Sequence, residues 1–387
     1  MRDAIAQLPG SKIRELANAA IGRDDVLAFW FGESDDVTPE PIREAAIASL
    51  RQGETFYASN LGLPELREAI ARYVSSLHRP CDASRIAVTS SGVSGLMIAM
   101  QALSGAGDEV VAVVPVWPNL TAQPAILGAR VKRFPLVARE GAWTLDLDTL
   151  LASISTATRV LVVNAPNNPT GWTLTRDEQQ AILAHCRRTG TWILADEVYE
   201  RLYFEAEPAA PSFLDIAEPD DRLVVINSFS KSFLMTGWRL GWMVLPETLT
   251  ATIGTLIEFN TSCAPVFVQR GGLAALAHAE KMIRDLRAHM QVCRDTLVPQ
   301  LMQLPGVQLC TPRGGMYAFF RIDGHDDSFA LAKRLLTHGI GLAPGVAFGD
   351  EAEGWLRWCF ASRDPARLSR GVERLTAALA ALATRDR

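Results

Sequence analysis

The sequence predicts an α/β fold of the doubly wound kind, with a mostly parallel sheet flanked by helices and a smaller α+β domain beside it. Three observations carry this prediction. Short runs rich in Val, Ile and Leu recur between residues 85 and 245, helix-length segments separate them, and this alternation stops beyond His278. Strands that are apolar at every position are covered on both faces, as in a parallel sheet packed between helices.

Seven of the apolar runs have the length and composition of buried strands. The predicted strands span residues 85–90, 109–114, 130–134, 159–164, 192–195, 223–227 and 239–244. The segment 176–188 is a predicted helix, because Thr175 and Glu178 form a capping-box pattern at its start and Gly190 follows its end. Strands alternating with helices indicate βαβ units and therefore a parallel sheet.

The pattern changes in the C-terminal part of the chain. A long charged helix is predicted at 281–301, strand-like runs within 309–323, and amphipathic helices at 329–337 and 365–383. The N-terminal 45 residues are too few to form a domain of their own. We therefore predict a large α/β domain of residues 46–280 and a small α+β domain built from residues 1–45 and 281–387.

Composition narrows the classes of function. The chain has 387 residues, of which 48% are hydrophobic, and a formal net charge of −5. This mild acidity argues against a nucleic-acid partner, because a phosphate backbone is bound by a basic surface. The apolar runs are too short for a membrane span, and the N-terminus lacks the apolar core of a secretory signal. Six scattered cysteines without metal-ligand spacing predict no metal site and a reduced, cytoplasmic protein.

Polar residues that could carry chemistry follow consecutive predicted strands. Asn168 comes after the fourth strand, Asp196 after the fifth and Lys231 after the sixth. In doubly wound sheets, ligands bind outside the carboxyl ends of the strands. The sequence therefore predicts a binding site at this edge.

The segment around Lys231 indicates what binds there. Ser228 and Ser230 precede the lysine, and Arg239 follows it at the start of the last predicted strand. A buried lysine near cationic or phosphate-bearing groups can have its pKa lowered, which frees the amine for Schiff-base chemistry. Serine hydroxyls and an arginine suit a phosphate monoester. A lysine that forms an imine beside a phosphate anchor suggests pyridoxal 5'-phosphate (PLP).

Taken singly, these residues have plainer interpretations. The loop 164–171, with its two prolines, could be a rigid connection. Asp196 could cap the next helix, and Tyr199 could be a core aromatic. Their coincidence with Lys231 and Arg239 favours a functional interpretation.

The combined motifs resemble the class I/II aminotransferases, PLP-dependent enzymes of fold type I in the aspartate aminotransferase superfamily. The motifs are Asn164-x-Pro-Asn-Asn-Pro-Thr-Gly171, Asp196-Glu-x-Tyr199, Ser228-x-Ser-Lys231 and Arg239. Residues 27–39, 57–67, 344–349 and 356–361 match further blocks of the family. The resemblance covers residues 13–379 and implies a large domain with a seven-stranded sheet and a smaller α+β domain.

The resemblance implies roles around the cofactor ring. Lys231 would form the Schiff base and then move the proton between the substrate Cα and the cofactor. Asp196 would pair with the pyridine nitrogen and keep it protonated, which makes the ring an electron sink. Tyr199 and Asn168 would donate to the ring's phenolate oxygen, and Trp117 would stack on the ring face.

The resemblance also implies how the phosphate is bound. The implied phosphate-binding residues are Ser91, Gly92, Val93, Ser94, Ser228, Ser230 and Arg239. The first four lie where a helix begins, and the free N–H groups and dipole of a helix N-terminus favour an anion. Tyr57 would reach the phosphate of a neighbouring subunit, which implies a homodimer.

The substrate carboxylate has its own implied residues. Arg357 would bind the α-carboxylate with two hydrogen bonds, assisted by Asn168 and the backbone N–H of Gly32, with Trp117 beside the substrate. Without the motif, a lone arginine in a strand would be interpreted as a surface residue.

The implied reaction is transamination: an L-amino acid donor gives its amino group to PLP, and a 2-oxo acid acceptor collects it in a second half-reaction. A lysine that contacts a second substrate carboxylate in one bacterial branch is matched here by Ser94, and the bulky Trp30 precedes the carboxylate-binding segment. We therefore expect neutral or aromatic donors, with Trp30, Phe31 and Phe348 as candidate pocket walls.

Two alternatives stay open at this point. β-Elimination by a C–S lyase would use the same cofactor residues, and its release of pyruvate and ammonia without an acceptor would identify it. A PLP-sensing regulator would carry a DNA-binding helix-turn-helix, for which about thirty residues before the first family block are too few.

Overall fold

The structure, a computed structural model, describes residues 1–385. Its strands are β1 Leu27–Ala28, β2 Ile86–Thr89, β3 Glu109–Val114, β4 Arg130–Pro135, β5 Val137–Arg139, β6 Ala142–Thr144, β7 Thr158–Asn164, β8 Trp192–Asp196, β9 Leu223–Ser228, β10 Gly241–Val244, β11 Val307–Leu309, β12 Tyr317–Ile322, β13 Ile340–Gly341, β14 Ala343–Pro344 and β15 Trp355–Cys359. Its α-helices are α1 Asp3–Ala6, α2 Lys12–Ala19, α3 Glu40–Arg51, α4 Pro64–Leu77, α5 Gly92–Leu103, α6 Asn119–Ile126, α7 Leu147–Ser153, α8 Arg176–Thr189, α9 Glu247–Glu258, α10 Val266–Ala277, α11 Ala279–Met302, α12 Ser328–Thr337 and α13 Pro365–Arg385.

A seven-stranded sheet forms the larger layer, in the order β2-β10-β9-β8-β7-β3-β4. Strand β10 runs antiparallel to both of its neighbours, and the remaining pairs are parallel. The predicted mostly parallel sheet is therefore confirmed. The bounds of β3 are those predicted, and the other strand ends differ from the prediction by at most two residues.

The largest difference concerns Arg239, which does not begin a strand. Its backbone has φ +55°, and β10 starts two residues later, at Gly241. A residue in the left-handed region cannot continue a strand ladder, and the apolar pattern of the following residues does not reveal such a turn. Arg239 therefore belongs to the loop that follows Lys231.

Apolar residues on both faces of the strands hold the sheet between its helices. In β3, Val111 and Val113 join one hydrophobic cluster, whereas Val110 and Val114 join another. Successive side chains of a strand point to opposite faces, so each face of the sheet packs against its own layer. This double burial explains the continuous apolar runs that predicted parallel strands.

Helix α8 has the caps that its sequence predicts. Thr175 Oγ1 accepts from Glu178 N at 3.2 Å, while a Glu178 carboxylate oxygen accepts from Thr175 N at 2.7 Å. Gly190 follows the helix with φ +75°, a conformation that glycine adopts without steric cost. The helix therefore begins and ends where its caps place it.

A second, four-stranded sheet lies in the C-terminal part of the chain, in the antiparallel order β11-β12-β15-β14. Helices α11 and α13 pack against each other, and β1 pairs with β13. The expected α+β character of this part is confirmed. The domain bounds at 46–280, and at 1–45 with 281–387, stay a prediction. In residues 1–385, no helix has both the length and the apolar character that crossing a bilayer requires.

Candidate active site

Three neighbouring parallel strands, β7, β8 and β9, bring the predicted residues to one edge of the sheet. Asn164 at the end of β7 lies opposite Asp196 at the end of β8, and β9 ends nearby at Ser228. The Asn164 side chain donates to the carbonyl of Asp196 at 3.0 Å and accepts from the backbone N–H of Asn168 at 2.7 Å. The strand ends therefore position Asn168 and Asp196 together.

Lys231 lies in the loop after β9, and its side chain is half-buried. Its Nζ donates to the carbonyl of Gly32 at 2.5 Å and lies 5.7 Å from the centre of the Tyr199 ring. Burial lowers the pKa of Lys231 to about 8, and the positive charges of Arg357 and Arg239 act in the same direction. A substantial fraction of the amine is therefore unprotonated in mildly alkaline solution, as Schiff-base chemistry requires.

Asp196 is buried, with only 2% of its surface exposed, so its carboxylate is shielded from water. Among residues 1–385, a single hydrogen bond reaches its carboxylate, from Val198 N at 3.4 Å. Burial raises the pKa of Asp196 to about 7, against the opposing effects of that N–H group and of the Lys231 charge. A buried carboxylate with so few hydrogen bonds is complementary to a cationic ring nitrogen.

Arg357, in β15, is also buried, at 3% exposure. Its Nη1 donates to Asn168 Oδ1 at 2.8 Å, and its Nη2 donates to the carbonyl of Trp30. The buried Nε has no hydrogen-bond partner in the described part of the chain. The guanidinium lies 4.4 Å from the ring centre of Tyr317 and 4.7 Å from that of Phe348. A ligand carboxylate would satisfy the unpaired donor.

Tyr199 lies between these groups, and its hydroxyl contacts two side chains. Asn168 Nδ2 donates to the Tyr199 hydroxyl at 3.4 Å, and the hydroxyl of Tyr317 lies 2.7 Å away. Burial raises the pKa of Tyr199 well above its usual value, so the phenol keeps its proton. Tyr199 is therefore a hydrogen-bond donor close to Lys231.

The N-terminus of α5 lies against the end of β9, at the predicted phosphate site. Ser91 caps this twelve-residue helix, and its Oγ accepts from Ser94 N at 3.2 Å. The residue has φ +109°, a backbone conformation that is costly for serine. A Cβ on Gly92 would lie 3.3 Å from the Ser228 Cβ, so the helix start and the Ser228 side chain are in contact. Ser228 Oγ accepts from Ser230 N at 3.1 Å.

Four further predicted residues are Arg239, Trp117, Val93 and Tyr57. The Arg239 Nη1 donates to the carbonyl of Thr236 at 2.6 Å. Trp117 is half-buried in the loop after β3. Val93 follows Gly92 in the first turn of α5. Tyr57 is 88% exposed.

Tyr317 and Trp30 change the interpretation of the site. Sequence reasoning missed Tyr317, which is fully buried at the start of β12 and contacts both Tyr199 and Arg357. A hydroxyl within the apolar run 316–320 is the signal that could have identified it. Trp30 was a candidate pocket wall, but its ring packs closely on Gly341 and its carbonyl accepts from Arg357. Trp30 therefore supports Arg357, and the Phe348 ring packs against the guanidinium.

A cleft adjoins Lys231, and both acidic and apolar side chains line it. It is lined by Glu33, Ser34, Asp36, Leu202, Ser230, Lys231, Leu234, Thr236, Leu286, Met290 and Met316. Thr236 Oγ1 donates to a Glu33 carboxylate oxygen at 3.1 Å. Lys231 is the one basic side chain among these lining residues.

The arrangement fits PLP. The undercompensated Asp196 carboxylate suits the ring nitrogen, the Lys231 amine suits the aldehyde carbon, and the α5 N-terminus suits the phosphate. The unpaired Nε of Arg357 leaves a donor for a substrate carboxylate.

Comparisons with known proteins show what the whole chain is similar to. Residues 24–375 match the family model described as aminotransferase class I and II, whose members use PLP. An aspartate aminotransferase of Pyrococcus horikoshii is 33% identical over 91% of this chain and 90% of its own length. An arginine–pyruvate transaminase of Pseudomonas aeruginosa is 34% identical over 89% of this chain and 87% of its own length.

A solved structure extends the similarity to the whole fold. The structure of a Thermus thermophilus aspartate aminotransferase variant superimposes with a TM-score of 0.90 at 28% sequence identity. The superposition covers 98% of this chain and 99% of the other. The predicted fold type is confirmed.

Proposed function

The chain belongs to the class I and II aminotransferases, and from this premise we propose that it moves the amino group of an L-amino acid to a 2-oxo acid at Lys231. The observation that carries the proposal is the half-buried Lys231 amine, with its pKa lowered to about 8, close to an arginine with an unpaired donor. Such an amine can attack a carbonyl carbon and afterwards carry a proton.

When bound, PLP supplies an aldehyde carbon for the amine and a ring that takes up electrons from the substrate Cα. We propose that Asp196 holds the proton on the ring nitrogen. Its carboxylate is buried and receives one long hydrogen bond, so a cation beside it would stabilise its negative charge. Tyr199 and Asn168 would orient the ring through its phenolic oxygen, and Trp117 would cover one ring face.

Lys231 would act twice in each half-reaction. Its amine would hold the cofactor, and the free Nζ would take up the proton of the donor Cα. The hydrogen bond from Nζ to the Gly32 carbonyl, at 2.5 Å, supports this assignment because it holds the amine next to the carboxylate-binding segment. The same nitrogen would also return the proton, so Lys231 would act as both base and acid.

Arg357 would fix the donor's α-carboxylate and thereby the direction of its Cα–H bond. Its Nε, unpaired within residues 1–385, supports this assignment, together with its burial against the rings of Tyr317 and Phe348. Asn168, already bonded to Arg357 Nη1, and the N–H of Gly32 would complete the carboxylate site.

The phosphate would lie at the N-terminus of α5. Ser91, Gly92, Val93 and Ser94 offer backbone N–H groups or hydroxyls there, and Ser228 and Ser230 contribute from the other side. Arg239 would have to exchange its bond to the Thr236 carbonyl for the phosphate.

We propose neutral donors, aromatic ones included, as the preferred substrate class. A donor bound at Lys231 and Arg357 has the adjoining cleft beside it, where Leu202, Leu234 and Met316 offer apolar contact. A second carboxylate would meet Glu33 and Asp36 without a basic partner other than Lys231. Repulsion between these carboxylates and a second substrate carboxylate would weaken binding.

A donor panel tests the substrate class. We expect kcat/KM to be higher for L-phenylalanine and L-methionine than for L-aspartate. The variant Glu33→Gln should raise kcat/KM for L-aspartate and leave kcat/KM for L-phenylalanine unchanged, because it removes a negative charge and keeps the size of the side chain. A preference of the unmodified protein for L-aspartate would overturn the proposal. A preference for L-arginine would replace the neutral donor class with a basic one. Glu33 and Asp36 in the cleft, and the similarity to the Pseudomonas aeruginosa relative, would be consistent with that outcome.

The same assay separates transfer from elimination. Amine transfer needs a 2-oxo acid for turnover and releases no ammonia. A C–S lyase would release pyruvate and ammonia from a cysteine-type donor without an acceptor.

We further propose a homodimer in which Tyr57 reaches the partner's phosphate. Phe56 and Tyr57 are 83% and 88% exposed, and Phe259 at the end of α9 is 84% exposed. Large aromatic side chains left in solvent in one region favour an interface with another chain.

A cytoplasmic location and the two-domain division also belong to the proposal. All six cysteines are free, which suits a reducing compartment. Limited proteolysis near residues 45 and 280 would test the division, and cell fractionation would test the location.

A further inference from the structure

Tyr317 contacts three groups of the proposed site and is itself unassigned. Its hydroxyl lies 2.7 Å from that of Tyr199, and its ring lies under the guanidinium of Arg357. A Cβ on Gly32 would collide with the same hydroxyl, so the absence of a side chain at Gly32 makes room for it. Tyr317 thus connects the proposed ring site to the proposed carboxylate site.

We propose that Tyr317 is a positioning residue whose hydroxyl donates to Tyr199 and thereby directs the Tyr199 proton to the ring oxygen of PLP. This inference rests on the proposed function and specifies one step of it, namely how the donor that faces the ring is held. It assigns a separate task to the Tyr317 ring, which supports Arg357 beneath the guanidinium.

The direction of the hydrogen bond follows from the number of donors and acceptors. A phenol has one proton and two lone pairs. Among residues 1–385, Tyr199 is the one hydrogen-bond partner of the Tyr317 hydroxyl. Within residues 1–385, either direction leaves one buried phenol proton without an acceptor, which is costly. Donation by Tyr317 leaves that proton on Tyr199, where the ring oxygen of bound PLP would accept it, so this direction satisfies both phenols at the proposed site.

Tyr199 is then left with its own proton to give. Its oxygen accepts from Tyr317 at 2.7 Å and from Asn168 Nδ2 at 3.4 Å, so both lone pairs are used. The remaining O–H bond is free to point toward the Lys231 side, where Nζ lies 5.7 Å from the ring centre. Donation by Tyr317 also polarises the Tyr199 O–H and makes it a stronger donor.

The strand pairing holds Tyr317 in place. It begins β12, and its backbone lies opposite Cys359 in β15, two residues from Arg357. The ionisable groups whose charges reach the two phenols are Asp196, Arg357 and Cys359, with Lys231 close to the Tyr199 ring. Burial raises the pKa of both phenols, so both keep their protons over the usual assay range.

The experiment is Tyr317→Phe, which removes the hydroxyl and keeps the ring. The readout, without substrate, is the pH midpoint at which the visible absorption band of the PLP-loaded protein changes. We expect this midpoint to rise by roughly half a unit to one unit, because a weaker Tyr199 donor leaves more charge on the ring oxygen to hold the nearby proton. We also expect kcat to fall by about three- to tenfold, with KM unchanged.

Three variants make the result specific. Tyr73→Phe removes a buried hydroxyl that accepts from Arg201 Nη1 at 3.1 Å, away from the site, and should leave the midpoint unchanged. Tyr317→Leu also removes the ring under Arg357 and should raise KM for all donors. In a Tyr199→Phe background, Tyr317→Phe should add no further shift, because it acts through Tyr199.

The outcomes separate this inference from the proposed function. An unchanged midpoint in Tyr317→Phe, or an equal additional shift in the Tyr199→Phe background, would refute the positioning role. If the unmodified protein itself forms no visible band with PLP, the proposed function fails first.

Discussion

At the scale of single residues, two buried polar groups of the proposed site lack full compensation by residues 1–385. The Asp196 carboxylate receives one long hydrogen bond, and the Arg357 Nε is unpaired. Each such group costs free energy in the protein alone, of about 1–3 kcal/mol. A cationic ring nitrogen beside Asp196 and a carboxylate beside Arg357 would compensate these two groups.

Replacing Arg357 by alanine tests the carboxylate site. Arg357→Ala should raise KM by roughly one to two orders of magnitude for every amino donor alike, because the contact is shared by all of them. The measurement is steady-state kinetics with one aromatic, one aliphatic and one acidic donor.

The matched control for that experiment is Arg321→Ala. Arg321 lies in β12 and donates to Gln308 at the protein surface, so its loss should leave KM unchanged. A rise in KM confined to one donor in Arg357→Ala would place Arg357 at side-chain recognition instead.

At the scale of elements, a buried polar network attaches the end of α4 to the sheet edge that carries the site. His78, just after α4, lies 2.7 Å from Asp215 and 3.1 Å from Glu200. Glu200 in turn accepts from Asn227 at 2.8 Å, next to Ser228. The network therefore joins α4 to the strand that ends at the proposed phosphate site.

The protonation of His78 gives this network a pH dependence. Burial opposes the charge, but the hydrogen bonds to Asp215 and Glu200 and the charge of Glu197 outweigh it and raise the pKa of His78 to about 10. Because the folded pKa lies above the ordinary value of 6.5, the stabilisation is complete below pH 6.5 and is lost as the pH rises toward about 10.

The variant His78→Gln should therefore flatten the alkaline decline in stability. The measurement is the melting temperature of the protein between pH 6.5 and about 10. His185→Gln is the control, because His185 Nε2 contacts a backbone carbonyl, that of Ile154, rather than a carboxylate. A variant at His78 with the same pH profile as the unmodified protein would contradict the assignment.

The strands and the main site motifs could be predicted because the signals are local. Continuous apolar runs predicted the seven strands, and the polar residues that end them, such as Asp196, predicted the edge at which the proposed site lies. The turn at Arg239 was not predicted, because the apolar pattern of the residues after it does not indicate a positive φ. Tyr317 was missed because its hydrogen bond joins residues more than a hundred positions apart.

At the scale of the whole molecule, the exposed aromatic residues favour a second copy of the chain. The segment that carries Phe56 and Tyr57 lies beside the end of α9, where the Ala58 N–H donates to Cys263 Sγ at 3.4 Å. These side chains and Phe259 have little contact within one chain. A partner that covers them would bring Tyr57 to a site that is not its own.

The dimer prediction has two measurable parts. Light scattering should give twice the chain mass of 42.2 kDa. Tyr57→Phe should keep the dimer and weaken PLP binding by about three- to tenfold, because it removes one hydroxyl donor and no apolar surface. A fully active monomer, or unchanged PLP affinity in Tyr57→Phe, would count against Tyr57 acting across subunits.

The most direct test of amine transfer at Lys231 is the visible absorption spectrum of the PLP-loaded protein during titration with single L-amino acids, without an acceptor. We predict that the cofactor band converts to that of the aminated cofactor, that a 2-oxo acid restores it, and that Lys231→Ala keeps the fold but loses turnover. A band that persists while pyruvate and ammonia accumulate would contradict transamination, and the absence of any band with PLP would contradict the Lys231 assignment.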